Sequence, residues 1–162
     1  LSAGPDADLR QKGRFLYSAR SSPRPAPGRN QQGLAMSSSV KFPAAQGRPA
    51  VTGAELLGRA VFYKVGHHGS RNATLSAGGL DLMSRLEVAF NPTNEAMAKK
   101  VKWSDIPAVK LNAELRRRTN DRLIQSDEPW VTDPNLPIPI KQGGALIDIQ
   151  RKTGPSIECI FE

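Results

Sequence analysis

His67 and His68 are the only histidines in the chain, and they stand together, followed by Gly69 and Ser70. They come directly after an apolar run, Ala60-Val-Phe-Tyr-Lys-Val65, closed by Gly66. A neutral imidazole nitrogen is a common ligand for zinc, iron or manganese, and a strand end fixes the backbone while the next loop projects side chains into a cleft. Gly69 permits close backbone approach there. Neighbouring residues on a strand face opposite ways, so the pair predicts one metal ligand and one side chain that supports it, unless the strand has already broken at Gly66. Ser70 and Asn72 are candidates to contact substrate or to hold a ligand imidazole by hydrogen bond, although Ser70 or Thr74 suits capping of the next helix equally well.

Two imidazoles are too few for a stable metal site, which takes three or more protein ligands, and a His-His pair beside a strand is more often a packed or surface feature. No Asp or Glu lies between Asp8 and Glu55, and no spacing singles out a later acid. A Ser-His-Asp triad is unsupported, because the chain has no Gly-x-Ser-x-Gly elbow and Ser70 is too near the histidines in sequence. The lone Cys159 excludes an internal disulfide framework and a Cys-rich zinc cluster; within an apolar strand it reads as core.

Stepping outward, the elements that must position the histidines begin near Val51. Thr52 and Glu55 have the spacing of a capping box, predicting a short helix over 54–59, followed by a strand over 60–65. A helix is expected from Thr74 or Ser76 to Ser84, weakened by Gly78 and Gly79, and a strand over 86–90 is stopped by Asn91-Pro92. Helices over 94–102 and 108–119, a strand over 123–126 and a proline-punctuated loop over 129–139 follow, with Trp130 pinning that loop to the core. Residues 145–149 and 157–161 alternate as paired strands should, joined by a turn over 151–155.

The chain has 162 residues, 38% of them hydrophobic and 6% aromatic, which is lean for one uniform core. Residues 1–50 hold 5 Gly and 6 Pro, with 8 Lys and Arg against 2 acids, so they carry +6 of the formal +8. This segment reads as a basic disordered or linker region; the exception is Arg14–Tyr17, which suits a short strand or a local collapse. A basic tail permits contact with nucleic acid or another polyanion. Arg116, Arg117, Arg118 and Arg122, or Lys99, Lys100 and Lys102 beside Trp103, would do so only if not spent on solvated faces. No run reaches the 18 apolar residues of a membrane span and no signal peptide is visible, so a cytoplasmic protein without membrane contact is the expectation.

The stretch Leu56-Leu-Gly-Arg-Ala-Val-Phe-Tyr-Lys-Val-Gly-His-His-Gly-Ser-Arg-Asn-Ala-Thr-Leu75 resembles the last metal-ligand motif of metallo-β-lactamase-fold hydrolases. It is most similar to the branch that includes the hydrolase domains of competence-type DNA-uptake proteins. The likeness spans about residues 52–128, with Tyr63–Ser70 its most specific part. It implies an αβ/βα sandwich holding two metal ions, usually zinc, that activate a bridging water for hydrolysis. The motif's ligand falls on His68 or His67, and His68 is preferred because it directly precedes Gly69. The family's other ligands come from a His-x-His-x-Asp-His motif, a further His and a bridging Asp, and this sequence has no such motif and no third histidine. The expectation is therefore an α/β chain in which residues 51–162 form the C-terminal half of such a sandwich, incomplete for catalysis alone and partnered by a missing N-terminal half of the same domain. A first residue of Leu1 rather than Met fits that reading, and a half-domain is expected to self-associate through the sheet face it exposes. The alternative is a non-enzymatic basic module that binds nucleic acid or another polyanion.

Overall fold

A strand with apolar side chains on both faces has to be covered on both sides. Val88-Ala-Phe-Asn91 forms such a strand, β5, and all four of its residues are buried. The protein is described by a computed structural model covering residues 13–18, 41–42, 44, 47, 49–74, 76–103, 105–152 and 156–162. In chain order its elements are β1 (Gly13–Ser18), β2 (Lys41–Phe42), β3 (Val51–Thr52), α1 (Gly53–Gly58), β4 (Phe62–Lys64), β5 (Val88–Asn91), α2 (Glu95–Lys100), α3 (Val109–Arg118), β6 (Leu123–Gln125), α4 (Pro129–Thr132), β7 (Leu146–Lys152) and β8 (Ser156–Phe161).

β5 is the middle of a parallel sheet ordered β4-β5-β6, in which Tyr63 lies opposite Ala89 and Ala89 opposite Leu123. Alternate residues go to different cores. Val88, Phe90 and Ile124 pack with Leu146, Ile149, Ile157, Cys159 and Phe161 of the antiparallel sheet β1-β8-β7. Ala89 and Leu123 pack the other way, with Val65, Leu80, Met83, Leu86 and Leu115, against α3 and the 80–86 segment. The result is three layers: helices, a parallel sheet and an antiparallel sheet. This α/β arrangement agrees with the coarse expectation. Inside the core shared with the antiparallel sheet, burial and then the neighbouring charge of Glu158 push the Cys159 thiol up to about 12, so it is an inert apolar group at neutral pH.

Local signals in the sequence mostly hold. Thr52 and Glu55 cap α1 reciprocally: Thr52 Oγ1 accepts from Glu55 N at 3.2 Å and Glu55 Oε2 accepts from Thr52 N at 2.7 Å. Asn94 caps α2 by accepting from Met97 N at 2.8 Å. The helix expected up to Ser84 shrinks to one turn, Leu80–Leu82, because Gly78 at φ +75° and Gly79 at φ −134° leave the helical region. Conversely, the loop expected over 129–139 contains α4, which starts with Pro129, whose missing N–H costs nothing at a helix start. Trp130 is buried there, and the Arg151 guanidinium ties the segment down by donating to the carbonyls of Trp130, Asp133 and Leu136.

Upstream of Val51, β1 pairs with β8 from Gly13–Phe161 to Ser18–Ser156, so the strand option for Arg14–Tyr17 is realised and the antiparallel sheet draws on the segment read as a linker. Residues 1–12 and 19–40, where the disorder expectation mainly falls, lie outside the described residues.

One ion pair ties the two sheets' connections together. Arg122, 8% exposed, donates from Nη1 to Glu87 Oε2 at 2.7 Å and from Nε to Lys141 O at 2.9 Å. Gly143 and Gly144 pass beside the pair without side chains; a Cβ on Gly143 would sit 2.8 Å from Arg122 Nη2. Removing one partner of such a pair strands the other's charge in a poorly solvated place. Arg122→Ala is expected to lower unfolding stability by about 3 kcal/mol or more in urea titration; an unchanged midpoint would show the pair to be without structural weight.

Candidate functional site

In a parallel sheet the carboxyl ends of the strands meet at one edge, and the loops leaving them surround a common crevice. Here that edge gathers the His67–Gly69 turn after β4, Asn91-Pro92-Thr93 at the end of β5, and Gln125-Ser126 at the end of β6. The expected strand has ended at Lys64, so the two histidines do not alternate across a sheet. They sit on a turn in which His67, His68 and Gly69 all have positive φ, at 43°, 53° and 74°. The turn is closed by Gly69 N to Gly66 O at 2.9 Å and Ser70 N to His67 O at 3.0 Å, and tethered by Ala108 N to Gly69 O at 2.7 Å.

Both imidazoles are exposed, yet His68 is held. Its Nδ1 lies 2.8 Å from the carbonyl oxygen of Pro92, and its ring stacks on Trp103 with centroids 6.3 Å apart and planes inclined by 29°. A carbonyl oxygen only accepts, so Nδ1 carries the proton and, in the neutral ring, Nε2 keeps the lone pair. A backbone carbonyl on one ring nitrogen is the usual way a protein orients an imidazole whose other nitrogen binds metal. Beneath the turn, Asn91 Nδ2 donates to Asn112 Oδ1 at 3.0 Å, and Asn112 Nδ2 to Gln125 Oε1 at 2.6 Å. Ser126 Oγ donates to Thr93 O at 2.5 Å, closing the edge between β5 and β6.

Ser70 is half-buried and Asn72 exposed on the next turn; among the described residues no hydrogen bond joins either side chain to an imidazole. The loop beyond the histidines is instead held by Tyr63 Oη and Thr74 Oγ1 at 2.7 Å and by an exposed Arg71–Asp105 pair at 2.9 Å. Burial pushes the Tyr63 phenol up, so it stays protonated and able to donate. A cleft of about 610 Å³ opens beside this loop, walled by Arg71, Thr74, Asp105, Lys110 and Glu114.

One oriented imidazole is a share of a metal site and not the whole of it. Among the described residues no group of three or more His, Cys, Asp or Glu side chains comes together. The donor set present does not hold a metal by itself, and no hydrolytic step is assigned to it.

The residues that the sequence did not single out as site residues are Asn91, Pro92, Trp103 and Asn112. Asn91-Pro92 carried a signal, the abrupt end of an apolar strand, that reads as punctuation until the strand's place beside β4 is known. The basic helix is spent internally. Glu114 accepts from Arg117 Nη2 at 2.7 Å and Arg118 Nε at 2.6 Å, Arg116 pairs with Glu128 at 3.5 Å, and Arg122 with Glu87. These pairs occupy the Arg116–Arg118 run, although the Arg117 side chain stays mostly exposed. Comparison with known proteins brings no match: no protein-family model fits the sequence, and no curated protein or solved structure is similar to it. Among the described residues no helix is long and apolar enough to cross a membrane.

The hydrogen bonds from Arg117 and Arg118 hold the Glu114 carboxyl down to about 2 from its ordinary 4.5. A depressed folded-state pKa gives stability that is present above pH 4.5 and lost as pH falls toward 2. Glu114→Gln is therefore expected to make acid destabilisation shallower across that window, by a small margin that high salt removes because the group is solvent-screened. An identical acid profile in the variant would contradict it.

Proposed function

We propose that this chain is the C-terminal part of a metal-dependent hydrolase domain of the metallo-β-lactamase superfamily, and that His68 contributes one ligand, through Nε2, to its zinc site. The observation that carries the reading is the 2.8 Å contact between His68 Nδ1 and Pro92 O at the carboxyl edge of the parallel sheet. It spends one nitrogen on the protein and turns the other, with its lone pair, outward. The α/β layering and the resemblance of Tyr63–Ser70 support the same reading. In it, the remaining ligands come from outside the described residues, and hydrolysis belongs to the completed site. His67, on the same turn, is the neighbour whose loss is expected to matter less.

The test is zinc retention by the whole protein. His68→Ala is expected to weaken zinc binding by more than the roughly 10–100-fold that loss of an outer hydrogen-bonding partner costs. His67→Ala is expected to cost less than His68→Ala. Zinc content and affinity unchanged in His68→Ala, measured after dialysis against a competing chelator, would defeat the assignment.

A further inference from the structure

Asn91 ends β5 with 0% of its surface exposed, and its position beneath the histidine turn is unusual chemically. Its Nδ2 is the first donor in the run Asn91, Asn112, Gln125, but among the described residues its Oδ1 has no hydrogen-bond partner. A buried unpaired acceptor is costly, and a leucine of similar size would avoid that cost. What the carboxamide touches is Gly69: a Cβ there would overlap it, falling 2.7 Å from Oδ1 and 2.9 Å from Cγ. The next residue, Pro92, supplies the carbonyl that holds His68 Nδ1. Two consecutive residues therefore grip one turn, Asn91 under Gly69 and Pro92 at His68.

The turn needs such a grip. Residues with side chains rarely adopt positive φ, and two histidines in succession do so here, at 43° and 53°. Such conformations persist only where the surroundings over-determine them. We propose that Asn91 is a positioning residue for His68: its buried carboxamide, packed under Gly69, holds the His67–Gly69 turn left-handed and so sets the direction of His68 Nε2. The significance of that direction rests on the reading of His68 as a metal ligand; the positioning itself does not.

The experiment is a long-range 1H–15N spectrum of the imidazoles in the full chain, which has only two histidines to resolve. The wild type is expected to show His68 protonated on Nδ1. Asn91→Ala is expected to move that pattern toward a mixture of tautomers, as is Gly69→Ala, whose added methyl meets the carboxamide. The Gly69→Ala/Asn91→Ala double variant is expected to lie nearer the wild type than Gly69→Ala alone, because the obstruction is gone. A merely structural role would lower the thermal midpoint of Asn91→Ala and leave the His68 pattern where it was; that result overturns the proposal. If Asn91→Ala does not fold, an unmoved His68 pattern in Gly69→Ala overturns it instead. In the whole protein, Asn91→Ala is expected to weaken zinc binding about 10-fold or more. A His68 pattern that shifts, in a protein whose zinc is indifferent to His68→Ala, would sink the ligand reading and leave the positioning intact.

Discussion

β5 is the constraint on which the rest depends. A four-residue strand buried on both faces sends Val88 and Phe90 into the core shared with the antiparallel sheet and Ala89 into the core shared with α3. It then has to stop pairing while the chain stays largely inside, Thr93 being buried like Asn91. Asn91 and Pro92 make that end: the carboxamide stays buried and linked through Asn112 to Gln125, and the proline, with no N–H to offer a neighbouring strand, ends the pairing. The carbonyl left at that point is the one His68 uses. The site is thus a consequence of how a doubly buried strand terminates.

The surroundings of the turn share a character. Of the large apolar residues exposed among the described residues, Met97, Val101, Trp103 and Val109 all lie in the segment that brackets it, with Trp103 against His68 and Ala108, next to Val109, bonded to Gly69 O. Met97 on α2 and Val101 just after its end stand four residues apart, about one helical turn. The lysines at 100, 102 and 110 lie among them, while Lys99 is paired with Glu95.

How far the sequence revealed this depends on the range of the signal. The Thr52–Glu55 capping box and the pairing of β7 with β8 are local chemistry, and each is found where its residues stand, although a register shift between Leu146 and Asp148 breaks the alternation of β7. The histidine pair was also legible as the chemical feature of the chain, because no other histidine competes with it. What stayed hidden is whatever depends on strand order. That β5 lies beside β4, bringing Pro92 O to a ring 24 residues earlier, follows from parallel pairing and leaves no mark on composition. The partners of the three arginines of α3, Glu114, Glu128 and the carbonyl of Leu80, were hidden for a related reason: they are set by helix spacing and by packing, and charge counting sees neither. β1 was legible as a possibility from three large side chains in a row, and its partner, β8, lies at the far end of the chain.

The most direct measurement is the tautomer of the neutral His68 ring in the wild-type chain, read from its two ring nitrogens. In the neutral ring the proton is expected on Nδ1 and the lone pair on Nε2, because a carbonyl oxygen at 2.8 Å accepts only from an N–H. A proton found on Nε2, or one averaged between the two nitrogens, would contradict it and remove the oriented ligand from the carboxyl edge of the sheet.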